Sequence, residues 1–247
     1  MFWKTEPRDP QVEVAGRIYP VRIKRLPQAR RMSLRADPVR GEVKVTGPTR
    51  LRTAEALAFA RSRQRWLAER FAAAADPVRL MPGQSIGFCG EPVEIVHDAG
   101  LARGVRMEND RLLVGGPADH AAARVERWLR GQARTLMTAD LAFYCARAGQ
   151  EEPKLSIGDA RSRWGSCSSR GHIRLGWRLV MAPAMVRRSV VAHEVAHLVH
   201  MDHSPRFYAL LDEIFEGDRK ACDAWLKAHG TGLHMIGAAA GRSADDQ

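Results

Sequence analysis

The chain has 247 residues, of which 45% are hydrophobic and 27% are charged, and its formal net charge is +11. This length and composition are typical of a globular protein with one large domain or two small ones. No apolar run approaches the roughly 20 residues that cross a bilayer, which argues against a membrane protein. The first residues lack the apolar core of a signal peptide, so we expect a cytoplasmic protein.

The positive charge is uneven along the chain. Residues 1–50 contain 12 Lys and Arg against 5 Asp and Glu, whereas residues 201–247 contain 5 against 8. A basic N-terminal region can attract nucleic acid or an acidic partner, although an ordinary solvated surface has the same composition. The four cysteines form no C-x-x-C pair, which indicates reduced thiols and not a disulfide framework.

The first half of the chain has the pattern of two groups of strands, each followed by a helix. Apolar and polar residues alternate over residues 11–46, with a turn at residues 37–41, and a helix capped by Thr53 is predicted to run to about residue 74. A second strand group follows over residues 84–115, with a hairpin turn at Asn109 and Asp110. We therefore expect a β-rich N-terminal region with one helix over residues 1–118.

The second half is mainly helical. A long helix is predicted from residue 119 or 120 to about residue 148, and a β segment follows over residues 154–180. Further helices are predicted over residues 184–200 and 204–229. We place a second region at residues 119–230 and expect residues 231–247, which are rich in Gly and Ala at their start, to be a mobile tail.

The most specific motif is His193-Glu194-Val195-Ala196-His197, which falls within the predicted helix over residues 184–200. Residues four apart lie on the same face of a helix, so His193 and His197 can bind one metal ion. Two histidines as zinc ligands, with the intervening glutamate as general base, are the zincin arrangement. His203 follows where Asp202 and Pro205 interrupt the helical pattern, and it can supply a third ligand that leaves one coordination position open.

Two alternatives remain open for this motif. The third ligand can instead be Glu213 or Glu216 on the last predicted helix, as in gluzincins. The chain can also be a binding module for nucleic acid or protein that keeps the metal for structure, a hypothesis that rests on the basic N-terminal region. A carboxylate beside an open metal position argues against that second alternative.

The segment before the metal-binding helix has the pattern of a hairpin with its turn at residues 168–171. Ile173, Leu175 and Trp177 alternate on one face, so residues 172–178 are predicted to form a strand. We hypothesise that the free edge of this strand pairs with an extended substrate. Cys167 lies in the first arm and has no accompanying His and Asp pattern, so we interpret it as a packing residue or a weak redox site.

These motifs together resemble a known family. The residues concerned are Arg163-Trp164-Gly165-Ser166-Cys167, then Ile173 and Leu175, then the His193 to His197 motif and Asp202-His203-Ser204-Pro205 with Phe207. They are similar to the YgjP-like metallopeptidase domain, which is related to the WLM and SprT-like zinc proteases. The resemblance implies a zinc protease with His193, His197 and His203 as zinc ligands and Glu194 as catalytic base.

The sequence thus predicts an α+β protein in which a β-rich N-terminal half precedes a zincin-like metallopeptidase core. The predicted reaction is hydrolysis of peptide bonds in a peptide or unfolded protein by a water that zinc activates, with Glu194 as the base. The candidate substrate-binding residues are Arg163, Arg174 and Tyr208. Arg163, Tyr208 and His200 are also candidates for stabilising the developing oxyanion.

Overall fold

A computed structural model of the chain describes residues 9–72, 78–160 and 163–237. This part of the chain contains six α-helices and eleven β-strands, and the strands form three small sheets. The predicted α+β class is therefore confirmed. None of the helices in these ranges is both long enough and apolar enough to cross a membrane.

The chain divides into two compact units, one of residues 1–77 with 238–247 and the other of residues 78–237. The boundary expected from the sequence, between residues 118 and 119, lies inside the second unit. The reason is that the apolar face of the second strand group shares one core with the long helix that follows it. Each unit is described separately below.

The first unit is built on a four-stranded sheet with strand order β1-β2-β4-β3. Its strands are β1 (Gln11–Val14), β2 (Arg17–Arg25), β3 (Ser33–Asp37) and β4 (Glu42–Gly47). The pairs β1–β2 and β3–β4 are antiparallel, whereas β2 and β4 are parallel. Val43 and Val45 are fully buried on one face of this sheet and pack in one core with Leu57 and Leu67.

The helix predicted from Thr53 to about residue 74 consists of two helices, α1 (Thr53–Arg61) and α2 (Gln64–Ala72), so the prediction of one continuous helix is wrong. The backbone N–H of Arg63 donates to the carbonyl three residues earlier and not four, which tightens the chain and ends α1. Thr53 is the first helical residue and its hydroxyl accepts a hydrogen bond from Arg25, so it is not the predicted cap.

The second unit begins with a sheet of the same design, with strand order β5-β6-β8-β7. Its strands are β5 (Ser85–Phe88), β6 (Glu91–His97), β7 (Gly104–Glu108) and β8 (Arg111–Gly115). Here too, two antiparallel pairs are joined by a parallel pair in the centre. Asn109 and Asp110 have φ values of 46° and 58° and form the predicted hairpin turn between β7 and β8.

A three-stranded sheet and four helices complete the second unit. The strands are β9 (Leu155–Gly158), β10 (Gly165–Cys167) and β11 (Ile173–Gly176), and the helices are α3 (Ala121–Arg147), α4 (Ala184–Val199), α5 (Pro205–Ile214) and α6 (Arg219–Met235). The predicted long helix and the predicted metal-binding helix therefore correspond to α3 and α4. Arg187 of α4 donates from Nε to Asp140 of α3 at 2.7 Å, and both side chains are buried. This ion pair helps to anchor α4 to α3.

The strand predicted over residues 172–178 is shorter than expected and lies in the middle of its sheet. The strand order is β10-β11-β9, so β11 pairs with β10 on one side and with β9 on the other. Trp177 is fully buried and begins a turn of 3-10 helix after the strand ends. The prediction of a free substrate-binding edge on this strand is therefore wrong, since both edges of β11 are already paired.

The last predicted helix, over residues 204–229, is also two helices, α5 and α6. Asp218 ends the connection between them, because its carboxylate accepts a hydrogen bond from the backbone N–H of Ala221 and caps α6. The region expected to be a mobile tail begins inside α6, which continues to Met235. The rest of that expected tail, residues 238–247, lies outside the described residues.

Candidate metal centre

Three histidine side chains converge at the C-terminal end of α4. The helical spacing places His193 and His197 one turn apart, with 3.2 Å between their Nε2 atoms. His203 comes from the connection between α4 and α5, and its Nε2 atom lies 3.3 Å from that of His193. The side chain of His203 is exposed, so the point of convergence is open to solvent on one side.

Neighbouring groups hold these rings in place. The Nδ1 atom of His197 lies 2.9 Å from the backbone carbonyl oxygen of His200. Because a carbonyl oxygen only accepts, Nδ1 carries the proton and Nε2 keeps a free lone pair. The buried ring of Phe207 lies behind the cluster, with its centroid 5.0, 4.5 and 4.9 Å from those of His193, His197 and His203.

The three imidazoles fit a zinc ion. Zinc binds histidine nitrogen at about 2.0–2.1 Å in tetrahedral geometry, which separates two ligand nitrogens by about 3.3 Å. The Nε2 atom of His193 lies at this separation from those of His197 and His203, at 3.2 and 3.3 Å, and the ligand atoms of all three histidines lie within 4.8 Å of one another. Burial, together with the neighbouring His197, His203 and Arg219, lowers the pKa of His193 to about 4. His193 is therefore neutral at pH 7, as a zinc ligand must be.

Glu194 lies beside the histidines and its carboxyl group is buried against β10. The backbone N–H of Cys167 donates a hydrogen bond to it. A Cβ atom added to Gly165 would lie 2.7 Å from Cγ and 2.8 Å from Cδ of Glu194, so only glycine leaves room for this carboxylate. Burial raises the pKa of Glu194 to about 7, against the opposing effects of Arg163 and the Cys167 N–H. Such a pKa suits a group that takes up and releases a proton near neutral pH.

A cavity of about 240 Å³ opens beside this carboxyl group. Its wall includes Arg163, His193, Glu194 and Arg219. Arg219 begins α6 and donates from Nε to Asp212 at 3.0 Å. Its guanidinium carbon also lies 4.9 Å from the centre of the Tyr208 ring. No sequence motif around Arg219 indicates that it belongs to this site.

The candidate substrate-binding residues fall in different places. Arg163 lines the cavity beside Glu194 and also a second cavity of about 240 Å³, which Arg174 lines. Arg174 is absent from the described lining of the first cavity. Tyr208 is exposed, and its ring centroid lies 6.2 Å from that of His203. Arg163 and Tyr208 therefore border the histidine cluster, whereas Arg174 lies on another side of β10.

The alternative ligands do not join the histidine cluster. Glu216 accepts a hydrogen bond from the hydroxyl of Tyr144 at 2.8 Å and pairs with Arg188 at 2.5 Å. Neither Glu216 nor Glu213 belongs to the group of convergent metal-binding atoms found in the described residues. Burial raises the pKa of the Cys167 thiol, and Glu194 raises it further, which disfavours a thiolate nucleophile at this position.

Comparison with known proteins agrees with this geometry. The family model described as YgjP-like, metallopeptidase domain, matches residues 30–229, which is well over half of the chain. No curated protein and no solved structure matches the chain significantly. The match includes the convergent histidines, Glu194 and the β10 segment that holds Glu194 in place. The chain therefore belongs to the YgjP-like metallopeptidase domain family.

Proposed function

We propose that this protein is a zinc-dependent metallopeptidase in which His193, His197 and His203 hold the zinc and Glu194 is the general base. The observation that carries the proposal is the convergence of three imidazole nitrogens beside a buried carboxyl group. Family membership implies a peptide or protein substrate. It lends no support to the hypothesis that the basic N-terminal region binds nucleic acid.

When bound, zinc supplies Lewis-acid polarisation of the scissile carbonyl and makes the attacking water more acidic. Glu194 then takes the proton of that water on a carboxylate oxygen as the water attacks. The carboxyl group, now protonated, delivers the proton to the amine that leaves. The hydrogen bond from the Cys167 N–H orients the carboxylate that makes both transfers.

Tyr208 is the candidate that we favour for binding the oxyanion that develops on the substrate. Its exposed ring borders His203, and Arg219 lies over the same ring and restricts its orientation. A phenol hydroxyl in this position can donate a hydrogen bond to the negative oxygen. Tyr208→Phe should therefore lower kcat by about tenfold to a thousandfold and leave the zinc content unchanged.

We further propose that the substrate backbone pairs with the free edge of β10 and not with β11. Trp164 and Ser168 bond to β11 through their backbone groups, so by antiparallel alternation the backbone groups of Gly165 and Cys167 point away from it. Because the N–H of Cys167 donates to Glu194, the backbone N–H and C=O of Gly165 remain to pair with an extended peptide. Pairing through the main chain favours extended or unfolded substrates of varied sequence.

The proposal is tested by two measurements on the purified full-length protein. Elemental analysis should find about one zinc per chain, which is lost in His203→Ala and kept in His229→Ala, an exposed histidine on α6 that serves as the matched control. Cleavage of an unfolded-protein or peptide library should be lost in Glu194→Gln, by at least about a hundredfold, although this variant keeps its zinc. A fully active Glu194→Gln variant, or zinc bound equally by His203→Ala, would refute the assignment.

A further inference from the structure

A further and larger cavity lies in the second unit, where the first two turns of α3 face β7. Its volume is about 620 Å³, which is within the usual range for small-molecule sites. The side chains that matter in its wall are His120, Arg124, Arg127, Trp128 and Arg103. The described lining includes no Asp or Glu, so three guanidinium groups border this cavity without a carboxylate.

Arg124 is the unusual member of this group because it is only 6% exposed. Its Nη2 atom donates to the carbonyl of Pro117, but its buried Nε and Nη1 atoms have no hydrogen-bond partner among the described residues. A buried guanidinium without an anionic partner is costly, because burial removes the solvent that would otherwise stabilise its charge. An anion in the adjoining cavity would supply the missing compensation.

The backbone adds to the same positive field. The helix α3 has 27 residues and begins at Ala121, directly after a turn of 3-10 helix (Ala118–His120) that carries Asp119 and accepts the N–H of Ala121 on the carbonyl of Ala118. The first turn of α3 itself contains no acidic residue, and His120 provides no side-chain cap. The first N–H groups of a helix lack helical partners and carry the positive end of the helix dipole. The N-terminus of a long helix is for this reason a frequent site of phosphate binding.

The amount of charge favours phosphate over carboxylate. Arg103 and Arg127 are exposed and form no ion pair within the part of the chain that the structure describes. Together with Arg124 they provide three positive charges, which is more than the single negative charge of a carboxylate can neutralise. A phosphate monoester carries about −1.5 to −2 at pH 7 and offers three strong acceptor oxygens, which matches several guanidinium donors.

We propose that this cavity binds the phosphate group of a small phosphorylated ligand, held by Arg103, Arg124 and Arg127 at the N-terminus of α3. The phosphate occupies only part of the volume. Trp128 lines the remainder, and its ring packs at 5.1 Å against Phe88, which leaves an aromatic surface for the rest of the ligand. This inference is independent of the peptidase proposal, because none of these residues belongs to the histidine cluster or to the cavity beside Glu194.

Isothermal titration calorimetry on the full-length protein tests the proposal with three probes, adenosine monophosphate, inorganic phosphate and adenosine. Adenosine monophosphate should bind, inorganic phosphate should compete with it, and adenosine should bind at least about tenfold more weakly because it lacks the charge-assisted hydrogen bonds. Failure of adenosine monophosphate to bind would overturn the proposal. So would equal affinity for adenosine, or binding with which inorganic phosphate does not compete.

Variants locate the site. Arg127→Gln removes an exposed guanidinium from the cavity wall, so the variant should fold, and its affinity for adenosine monophosphate should fall at least about tenfold. Arg134→Gln removes the same charge from an exposed position two turns further along α3 and should change the affinity by less than about twofold. An equal loss in both variants would show that only the overall positive charge matters, and would overturn the proposal. Retained affinity in Arg127→Gln would overturn it as well.

Discussion

The contact between Gly165 and Glu194 offers a direct test of how the carboxylate is positioned. In Gly165→Ala the new Cβ atom would meet Cγ of Glu194 at 2.7 Å and Cδ at 2.8 Å. Ordinary contacts between carbon atoms begin at about 3.5 Å, so the side chain of Glu194 or the strand must move by about 0.8 Å. A misplacement of about 1 Å in a catalytic group costs about a hundredfold in rate. We therefore expect kcat to fall by about a hundredfold and the zinc content to stay at its wild-type value.

The assay is cleavage of a fluorogenic peptide at saturating concentration, with zinc measured on the same preparation. Gly176→Ala is the matched control in the same sheet, because its added Cβ would find its nearest neighbours at 3.4 and 3.8 Å, which are ordinary contacts. Overpacking should also lower the free energy of unfolding of Gly165→Ala by about 1–3 kcal/mol, which urea denaturation measures. The kinetic comparison requires that Gly165→Ala remains folded after this loss of stability. The free energy of unfolding and kcat are therefore measured on one preparation.

A double variant separates an effect on Glu194 from a general disturbance. If Gly165→Ala acts by displacing this carboxylate, adding it to Glu194→Gln should cause little further loss, because the group has already been removed. Losses that multiply would show that Gly165 acts through something other than Glu194. A folded, zinc-loaded Gly165→Ala variant with wild-type kcat would refute the positioning argument altogether.

Three further predictions concern other parts of the second unit. A series of peptides, each N-methylated at one amide, tests whether the substrate pairs with Gly165. If it does, methylation at one position next to the scissile bond should lower cleavage at least about tenfold, whereas uniform tolerance would contradict the pairing. Arg187→Met should lower the free energy of unfolding in urea by about 3–5 kcal/mol because it strands the buried Asp140, and Asp140→Leu in addition should recover part of that loss. Burial, with a contribution from Glu152, raises the pKa of Cys145 to about 11. Its thiol therefore stays protonated at pH 8, and mass spectrometry should find it alkylated by iodoacetamide only after denaturant is added.

Features that depend on neighbours in the sequence were predictable. The four-residue spacing of His193 and His197 requires only a helix, and α4 provides it over nearly the predicted bounds. The long apolar periodicity after residue 120 likewise corresponds to α3. The helix breaks after Arg61 and after Ile214 were not predictable, because the apolar spacing continues across them. A 3-10 hydrogen bond of Arg63 follows the end of α1, and the cap from Asp218 starts α6. The identity of the bound metal and the roles of the histidines stay predictions.

Features that depend on contacts between distant segments were not predictable. The alternating pattern of residues 173–176 indicates a strand, but it carries no information on how many neighbours that strand has. In the folded chain β11 pairs with β9 on one side and with β10 on the other. The free edge next to Glu194 therefore belongs to β10 and not to β11. The two four-stranded sheets also share one strand order, although the sequence shows no repeat.

The sequence by itself determined that a largely apolar helix carries two histidines one turn apart and a glutamate next to the first, with a third histidine just after its end, because helical geometry follows from local spacing. Only the tertiary structure decided what surrounds them. It placed Gly165 where the carboxylate of Glu194 needs space, brought Arg219 into the adjoining cavity and directed Glu216 to Tyr144 and Arg188. These contacts join residues far apart in the chain, and close packing of the whole unit selects them, so no local pattern encodes them.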